Sequence, residues 1–191
     1  MAKLRVKRHT PIQPQDPSYR LIGLTQNQNA IVDATDFEWL SKFLWYANWN
    51  PHTQSFTAKR RPGKQEVFMH RVIMACTDKK QLVDHWNHDT LDNRRQNLRV
   101  CNNAQNQQNR RGRRKSTSRF KGVTWDTGRK KWFVGIRIRG KTKGLGRFEN
   151  EREAAKVYDV AAIEHFGEFA FLNFPKSATS SSHPTQLKLF L

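Results

Sequence analysis

The sequence predicts an α+β protein built from two small domains. Its 191 residues suit one medium-sized domain or two small ones. Three observations favour two: short alternating apolar segments typical of strands occur in both halves, a clear amphipathic helix pattern occupies 150–167, and a basic segment at 109–117 separates the halves. No apolar run approaches the roughly 18 residues that a membrane span needs, and the mean hydropathy is −0.86.

The charge of the chain predicts a polyanionic partner. It carries 35 Lys and Arg against 16 Asp and Glu, a net charge of +19, with a pI near 10.6. The N-terminal residues contain no apolar stretch of the secretory type, and Cys76 and Cys101 form no C-x-x-C pair. We therefore expect a reducing, cytoplasmic location, without a disulfide framework or a cysteine-rich zinc site.

The first elements follow a basic N-terminal segment. Residues 1–18, with three prolines among charges, predict a loose arm. NAIVD predicts a short strand, and Asp36 is a candidate cap for a helix FEWLSKF with an apolar face at Phe37, Leu40, Phe43 and Leu44. WYANW, SFTAK and EVFMHRVIM have strand patterns, and we expect the tryptophans among them to anchor a core.

A strand, loop, strand and helix follow in order. VDHWN and NLRVC have strand length, HDTLDNRRQ between them is polar, and NNAQNQQNRR begins as a helix. Asn102 with Gln105 has the spacing of a capping box, which places Asn106 at the end of the first turn, facing back across the hairpin. Such a hairpin with a helix on one face can bring Asp84 and Asn106 together, with His85 at the same end.

These three side chains suit metal-assisted hydrolysis. Carboxylate and amide oxygens are ligands for Mg²⁺ or Mn²⁺, and a histidine near neutrality can take a proton from water. The alternatives are an ordinary surface Asp-His pair and a solvated helix face for Asn106, which lies in an Asn/Gln-rich run. A zinc pair of His85 and His88 is disfavoured, because no third and fourth ligands follow at metal-site spacing.

The segment 109–117 predicts a basic linker. A flexible run of like charge can become ordered along a phosphate backbone or in a minor groove. The alternative is a merely solvated linker. The candidate DNA-binding residues here are Arg110, Arg111, Arg113 and Arg114.

Residues 118–175 predict a three-stranded sheet packed on one helix. FKGVTWD, KWFVGIRIRG and KGLGRFE alternate like strands, and NEREAAKVYDVAAIEHFG has a small-residue apolar face, an Asn150 cap and a Gly167 stop. The apolar helix positions are Ala154, Ala155, Tyr158, Ala161, Ala162 and Phe166. Strand alternation sends Val134, Ile136 and Ile138 to the helix and Phe133, Gly135, Arg137 and Arg139 to the uncovered face. A cationic sheet face can enter a major groove, where arginine contacts guanine edges.

The stretch from Asp84 to Asn106 resembles the HNH nucleases, in the subgroup common among phage and intron-encoded homing endonucleases. The family pattern of His, Asn before Leu, and Asn or His on a helix is matched by His85, Asn97-Leu98 and Asn106. The resemblance implies a nuclease domain at 19–108 with a ββα-metal core at 83–108. It also implies that His85 is the general base, that Asp84 and Asn106 hold one divalent ion, and that Asn97 fixes the hairpin by hydrogen bonds across its loop.

Two further points bear on this resemblance. His70-Arg71 looks like the segment that precedes the motif in this subgroup, and Arg71 is a candidate phosphate contact. Toxin and restriction members place histidine at both metal positions, whereas this chain has Asp84 and Asn106. That difference favours Mg²⁺ or Mn²⁺ over Zn²⁺.

The second domain resembles the plant ethylene-response-factor (APETALA-type) DNA-binding domain through FKGV, KWFVGIR, LGRF, EAAKVYDVAA and LNFP. The resemblance implies DNA contacts from Lys121, Trp132, Arg137 and Arg147, and their neighbours Arg129 and Arg139 are added from our own interpretation. A packing role for Trp132 and a solvated Arg137 are the alternatives. Thr124, Gly135 and Gly144 depart from the plant pattern, so the plant target sequence is not transferred.

The tail at 176–191 contains the peptide QLKLF at 186–190, followed by Leu191. This peptide is similar to the short segment by which bacterial DNA-processing proteins dock on the replication sliding clamp. The resemblance implies a partner peptide of Gln186, Leu187, Leu189 and Phe190. The alternative is that the apolar residues fold back on the protein as a terminal strand.

Together, the residues and these resemblances predict a site-directed DNA endonuclease of the HNH type that hydrolyses phosphodiesters of double-stranded DNA with one divalent ion per site. The homing type, and a nucleoid-associated location in a bacterial or phage-infected cell, are implied by the resemblance alone. A monomer should nick. Two alternatives stay open: a DNA-binding regulator with an inactive HNH module, and an RNA-binding or general polyanion-binding protein, which salt-resistant binding to a specific duplex would distinguish.

Overall fold

The computed structural model describes residues 8–112 and 116–175. The chain forms two compact units, Met1–Asn103 and Ala104–Leu191, each with its own hydrophobic core. Small sheets alternate with a few helices, which is compatible with the predicted α+β class. The narrower prediction of a ββα-metal module stays a prediction. Among the described residues, no helix has the length and apolar character to cross a membrane.

The described residues of the first unit form three small antiparallel sheets, β1–β2, β3–β4–β5 and β6–β7. The strands predicted at NAIVD, WYANW and SFTAK are confirmed as β2, β3 and β4, whereas β1 was not predicted because YRLIG alone has no clear alternation. The bounds are β1 Tyr19–Gly23, β2 Asn29–Asp33, α1 Ala34–Ser41, β3 Tyr46–Asn50, β4 Ser55–Arg60, β5 Val67–Phe68, α2 Met69–Ile73, β6 Leu82–His85 and β7 Leu98–Cys101.

Helix α1 begins and ends earlier than its sequence pattern predicts. Asp36 is not its cap; it lies in the first turn, buried, and forms an ion pair with Arg95 at 2.8 Å. The helix ends at Ser41, so Phe43 and Leu44 are exposed instead of extending its apolar face. Phe43 lies 4.0 Å from the guanidinium of Arg60, which covers its ring. Asp36 thus pairs with Arg95, a residue distant in sequence, instead of capping the helix locally as predicted.

The strand predicted for EVFMHRVIM is confirmed only at the second and third residues of this stretch. Only Val67–Phe68 pairs with β4, and Met69–Ile73 forms the short helix α2. Met69 and Ile73 are four residues apart and both buried, so one helical face enters the core. An apolar run this short fits both the two-residue period of a strand and the 3.6-residue period of a helix, and burial in the tertiary structure decides between them.

Residues 8–18 correct the prediction of a loose arm for this part of the chain. The Arg8 guanidinium donates to the carbonyl of Trp45 at 2.6 Å. The Gln13 amide both donates to and accepts from the backbone of Leu21, at 3.0 Å each way. A Cβ added at Gly23 would lie 2.1 Å from the carbonyl oxygen of His9, so a glycine is needed where this segment crosses β1.

The second unit is a three-stranded antiparallel sheet, in the order β10–β9–β8, with one long helix on one face. The three strands and the helix predicted for this half are confirmed. A short helix precedes them, and its first residue belongs to the first unit. The bounds are α3 Asn103–Asn109, β8 Val123–Asp126, β9 Lys131–Ile138, β10 Lys141–Phe148 and α4 Glu151–Phe166.

Helix α4 is closed at both ends as its sequence predicts. The Asn150 side chain accepts hydrogen bonds from the backbone N–H groups of Arg152 and Glu153, and Gly167 follows the last turn with φ of 54°. The predicted alanine face is buried against β9, in a core that includes Val134 and Ile136. The buried positions of α4 are Ala154, Ala155, Tyr158, Asp159, Ala161 and Ala162.

The segment after α4 is tied back to the sheet by a polar network. Both carboxylate oxygens of Asp159 accept backbone hydrogen bonds, from Asn173 and Phe174 at 2.8 Å. The Asn173 amide in turn accepts from the N–H of Lys121 and donates to its carbonyl. The LNFP segment is thereby held beside the start of β8.

Candidate functional site

The β6–β7 hairpin presents two different faces. Asp84 pairs with Arg99 across the strands, and His85 pairs with Leu98. Side chains of directly opposed residues share a face, and neighbours along a strand alternate. His85 and Leu98 are 6% exposed and lie on the face toward the core, so Asp84 and Arg99 lie on the other.

The loop between these strands is a compact polar structure around Asn97. The Asn97 side chain accepts from the N–H of Asn87 at 2.9 Å and donates to the carbonyl of Asp92 at 2.7 Å. Its backbone carbonyl accepts from Trp86 at 2.9 Å. All three bonds cross the loop, so Asn97 fixes the hairpin end directly after His85.

The same loop is attached to the first sheet. Ile31 of β2 donates its N–H to the carbonyl of Leu91 at 2.9 Å and accepts from the N–H of Asn93 at 2.7 Å. Asp92, which is 2% exposed, binds the Arg94 guanidinium through both carboxylate oxygens at 2.7 and 2.8 Å. These contacts anchor the polar loop to a rigid sheet.

His85 has an environment that disfavours its charged form. Burial lowers its pKa below the usual 6.5, against the opposing influence of the Asn93 side chain and of the carboxylates of Asp84 and Asp89. The His70 ring lies edge-on to the His85 ring, with centroids 5.0 Å apart. Burial, with the neighbouring His85, lowers the pKa of His70 to about 3. Two neutral imidazoles are therefore expected here at neutral pH.

Asp84 forms an ion pair with Arg99. The guanidinium reaches Oδ2 of the carboxylate at 2.9 and 3.2 Å, and each side chain is 11% exposed. The pair lies on the hairpin face opposite the buried His85 ring. This face therefore offers a largely desolvated carboxylate beside a fixed cation.

The predicted metal ligands have oxygen donors suited to a hard divalent ion. Asp84 supplies a carboxylate, and Asn106 is a half-buried residue of α3 in the second unit. Within 8–112 and 116–175, no group of three His, Cys, Asp or Glu side chains is arranged to hold a metal. Mg²⁺ commonly uses one or two protein oxygens and completes its shell with water and phosphate. The donor chemistry fits Mg²⁺ better than a closed zinc site.

Arg71 is bound to main-chain carbonyls of its own unit. Its guanidinium donates to the carbonyls of Cys76, Asp78 and Gln81 at 3.0, 2.7 and 2.6 Å. These carbonyls belong to the loop that leads from α2 into β6. Arg71 therefore holds the approach to the hairpin, and its predicted DNA contact is not supported by this geometry.

In the second unit, the sheet face away from α4 carries part of the predicted DNA-binding set. Arg137 is exposed on β9, with its Nε donating to the carbonyl of Gly140 at 3.1 Å. Arg147 lies opposite Phe133 in the register, and Asp126 binds its Nε at 2.9 Å. Arg129 also pairs with Asp126, at 3.5 Å, with 66% of its side chain exposed. Cations and one carboxylate therefore share this face.

Three other predicted contacts lie elsewhere. Trp132 alternates with Phe133 and so lies on the helix side, packed against the core and 4.9 Å from the Trp125 ring. The Lys121 ammonium donates to the carbonyl of Gln108, and burial, with the nearby Arg110, lowers its pKa to about 8. Both side chains are thus engaged within the unit, and their direct DNA contacts stay a prediction.

Arg139 does not follow the strand alternation predicted for it. Strand β9 ends at Ile138, and Arg139 and Gly140 form the two-residue turn to β10, with φ of 48° and 80°. Positive φ at both positions is typical of the tight hairpin turn that matches strand twist. Arg139 is exposed at the end of the hairpin, beyond the sheet face.

The linker and the tail are described only in part. Arg110 and Arg111 are exposed, while Arg113 and Arg114 lie outside the described residues. The end of the linker is anchored, because Ser118 Oγ donates to Glu151 at 2.7 Å. The predicted partner peptide also lies outside the described residues; its members are Gln186, Leu187, Leu189 and Phe190.

Some residues of the two sites had no clear signal in the sequence. Asp92 and Asn93 are buried in the polar loop, yet a DNR triplet in a loop is ordinarily exposed. Phe133 lies on the uncovered sheet face, where alternation does predict its position but not its surroundings. Asp126 organises two arginines, and only the turn sequence DTG suggested a structural role for it.

Comparison with known proteins finds a relative that covers most of the chain. An uncharacterized HNH endonuclease of Acanthamoeba polyphaga mimivirus is 28% identical over 160 residues, which are 81% of this chain and 80% of the relative. No protein-family model matches the chain, and no solved structure matches it.

Plant proteins match a shorter stretch. An AP2/ERF and B3 domain-containing protein of Oryza sativa subsp. japonica is 42% identical over 67 residues, and the ethylene-responsive transcription factor WRI1 of Arabidopsis thaliana is 36% identical over 63 residues. These stretches are 35% and 33% of this chain, but only 18% and 14% of the plant proteins. The similarity therefore concerns one small region in each plant protein.

Proposed function

We propose that this protein is a DNA endonuclease of the HNH type. The observation that carries the proposal is the β6–β7 hairpin, where Asp84 and His85 adjoin a loop held by Asn97. The similarity to an HNH endonuclease over 81% of the chain supports it. The high positive charge of the chain suits a nucleic-acid substrate.

In this proposal, His85 is the general base. A base must be neutral before it can take a proton, and burial lowers the pKa of His85, which keeps the imidazole neutral at physiological pH. The edge-on packing of His70 limits rotation of the ring. His85 then removes the proton of a water molecule that attacks the phosphorus atom of the scissile bond.

The resemblance of the sequence, not the arrangement of the two units, proposes Asp84 and Asn106 as the ligands that would hold one divalent ion, Mg²⁺ or Mn²⁺. When bound, such an ion stabilises negative charge on the phosphate and on the departing 3′ oxygen. Arg99 keeps the Asp84 carboxylate oriented on the face of the hairpin opposite His85. Asn97 is a positioning residue, because its hydrogen bonds fix the loop that follows His85.

The second unit would hold the DNA. Its uncovered sheet face carries Arg137 and Arg147, and Arg129 lies beside them. A sheet of this width can enter the major groove, where arginine donors reach base edges and phosphates. We also propose that cleavage is site-directed, of the homing type, and that a monomer nicks one strand. The cytoplasmic location stays a prediction.

The test is cleavage of supercoiled plasmid with and without Mg²⁺. We expect nicked or linear product from the wild type, none in EDTA, and at least a 100-fold slower reaction with His85→Gln, since general bases typically contribute 10²–10⁴-fold. His52→Ala, which alters an exposed histidine of the same unit, is the matched control and should cleave normally. Circular dichroism establishes that His85→Gln is folded.

A regulator with an inactive nuclease module is the competing function. It predicts that the wild type binds duplex DNA but cuts no plasmid with Mg²⁺ or Mn²⁺, on DNA of varied sequence. Binding without cleavage would replace the proposal with this one. If the wild type neither binds nor cleaves DNA, both the endonuclease proposal and the regulator alternative are wrong.

The tail supports one further proposal about a partner. We propose that the QLKLF peptide, with Gln186 and Phe190 at its ends, docks on a bacterial sliding clamp. The test is to measure binding of the full chain to a purified clamp that is immobilised on a surface. Leu189→Ala together with Phe190→Ala should abolish binding, and Lys188→Ala should not. Equal binding by all variants would refute the proposal.

A further inference from the structure

Phe133 has an unusual position on the uncovered face of the second sheet. It lies between the helix-facing residues Trp132 and Val134 in sequence, so its side chain points away from α4. It is half-buried, yet it does not belong to the core of this unit. An aromatic side chain on a surface that also carries arginines and a carboxylate requires an explanation other than core packing.

The ring of Phe133 lies on a pair of glycines. Gly135 and Gly144 are direct register partners on β9 and β10. A Cβ added at Gly135 would lie 3.0 Å from Cε1 of the ring, and one added at Gly144 would lie 3.3 Å from Cε2. With no side chains beneath it, the ring rests close to the backbone of the sheet.

The ring also has a cationic neighbour. The guanidinium carbon of Arg147 lies 5.2 Å from the ring centroid, and Asp126 holds that guanidinium through Nε at 2.9 Å. The ring is therefore close both to the two glycines and to a tethered arginine. A nucleotide base could not stack flat on it without displacing Arg147. A smaller apolar group can still reach its edge.

We propose that Phe133 contacts the C5-methyl group of a thymine in the major groove and makes the second unit selective for thymine at that position. This proposal rests on the proposed DNA binding of this sheet face. Thymine is the base that carries a methyl group in the major groove, and an apolar side chain contacts it without needing a hydrogen bond. Arg137 and Arg147 supply the polar contacts on either side.

The experiment uses the full chain in EDTA, so that DNA is bound but not cut. Duplexes are first selected from a random pool, and each thymine of the selected site is then replaced singly by deoxyuridine, which removes only the methyl. We expect one replacement to weaken wild-type binding about fourfold, the effect of burying one methyl-sized group. For Phe133→Ala, the same replacement should have no effect.

Two further variants separate the contact from general affinity. Gly135→Ala keeps Phe133 but lifts its ring from the sheet, and it should also reduce the thymine effect. Arg137→Ala should weaken binding to the thymine and deoxyuridine duplexes equally. Thermal unfolding verifies that each variant is folded. If Phe133→Ala does not fold, Gly135→Ala serves as the test variant in its place.

The outcomes distinguish this proposal from the one on which it rests. If no duplex is selected and binding is absent at moderate salt, the proposed DNA binding fails. If a duplex binds but no deoxyuridine replacement matters, or if Phe133→Ala keeps the wild-type thymine effect, only the Phe133 contact is overturned. Tighter binding to single strands than to any duplex would favour base stacking and would also overturn it.

Discussion

His70 and His85 illustrate how burial sets the chemistry of a residue. The two imidazole rings pack edge to face, with their centroids 5.0 Å apart, and burial lowers the pKa of each. The order of residues identified His85 as chemically important, through its spacing to Asn97 and Asn106. It could not indicate that His70, fifteen positions earlier, would be its ring neighbour, because that contact depends on how α2 packs against β6.

We predict that His70 makes the protein sensitive to acid. Its pKa is about 3 in the folded protein and near 6.5 when unfolded, so between these values only the unfolded chain binds the proton. The contribution of His70 to the free energy of unfolding is therefore intact above pH 6.5. Below pH 6.5 the free energy of unfolding falls by about 1.4 kcal/mol for each pH unit. Urea unfolding at pH 7.5, 6 and 5 should show a shallower loss for His70→Phe. Parallel losses in the two proteins would contradict this prediction.

We predict that Arg71 stabilises the fold and does not contribute to DNA affinity. Arg71→Met removes three hydrogen bonds to the carbonyls of Cys76, Asp78 and Gln81, and should lower the free energy of unfolding by about 3 kcal/mol, taking about 1 kcal/mol for each of these partly exposed bonds. Arg20→Met is the control, because Arg20 also donates to main-chain carbonyls, but its bonds to Asp16 and Pro17 are long, at 3.2 and 3.3 Å, and join residues close in sequence, so the loss should be smaller. DNA affinity measured on folded Arg71→Met should be unchanged; a clear loss would restore the phosphate contact.

At the scale of elements, alternation and capping predicted the second unit well. β8, β9, β10 and α4 lie where their patterns place them, because each is long enough for its period to be unambiguous and Asn150 caps the helix locally. The short apolar runs of the first unit were harder. Met69–Ile73 is a helix, and α1 ends before Phe43, because burial against distant residues decided both.

We predict that Gly122 is indispensable to the second unit. Its φ is +79°, and an added Cβ would lie 1.9 Å from the Tyr158 ring, where the chain entering β8 passes over α4. Gly122→Ala combines backbone strain with a clash in a close-packed core, so we expect a loss of at least about 3 kcal/mol or failure to fold. Gly128→Ala, with its nearest atom at 3.7 Å, should change stability by less than about 0.5 kcal/mol. Thermal unfolding compares the two, and equal stability would contradict the prediction.

At the scale of the whole molecule, charge is the dominant feature. A net charge of +19 on 191 residues predicts strong electrostatic attraction to a polyanion, whatever the fold. How that charge is used differs among residues. Arg94, Arg95 and Arg99 are bound to carboxylates within the first unit, whereas Arg137 is exposed on the uncovered sheet of the second.

We predict that DNA binding releases counterions and that Arg137 accounts for about one of them. The logarithm of the association constant should fall linearly with the logarithm of salt concentration, with a slope of about −0.9 per phosphate contacted. If Arg137 contacts a phosphate, Arg137→Ala should reduce the magnitude of the slope by about 1, whereas Arg95→Ala, which removes a cation already paired with Asp36, should leave it unchanged. Fluorescence anisotropy at several salt concentrations measures both. An identical slope for all three proteins would exclude an Arg137 phosphate contact.

The sequence by itself determined the basic character of the protein, the strands and helix of the second unit, and the spacing of Asp84, His85, Asn97 and Asn106. These depend on composition and on neighbours in the chain. Only the tertiary structure decided how individual side chains are used. Arg71 and Lys121 donate to main-chain carbonyls, Trp132 packs against a core, and Phe133 lies on two glycines. The physical reason is that a donor or an aromatic ring binds the groups that folding brings to it, and those groups lie far away in the sequence.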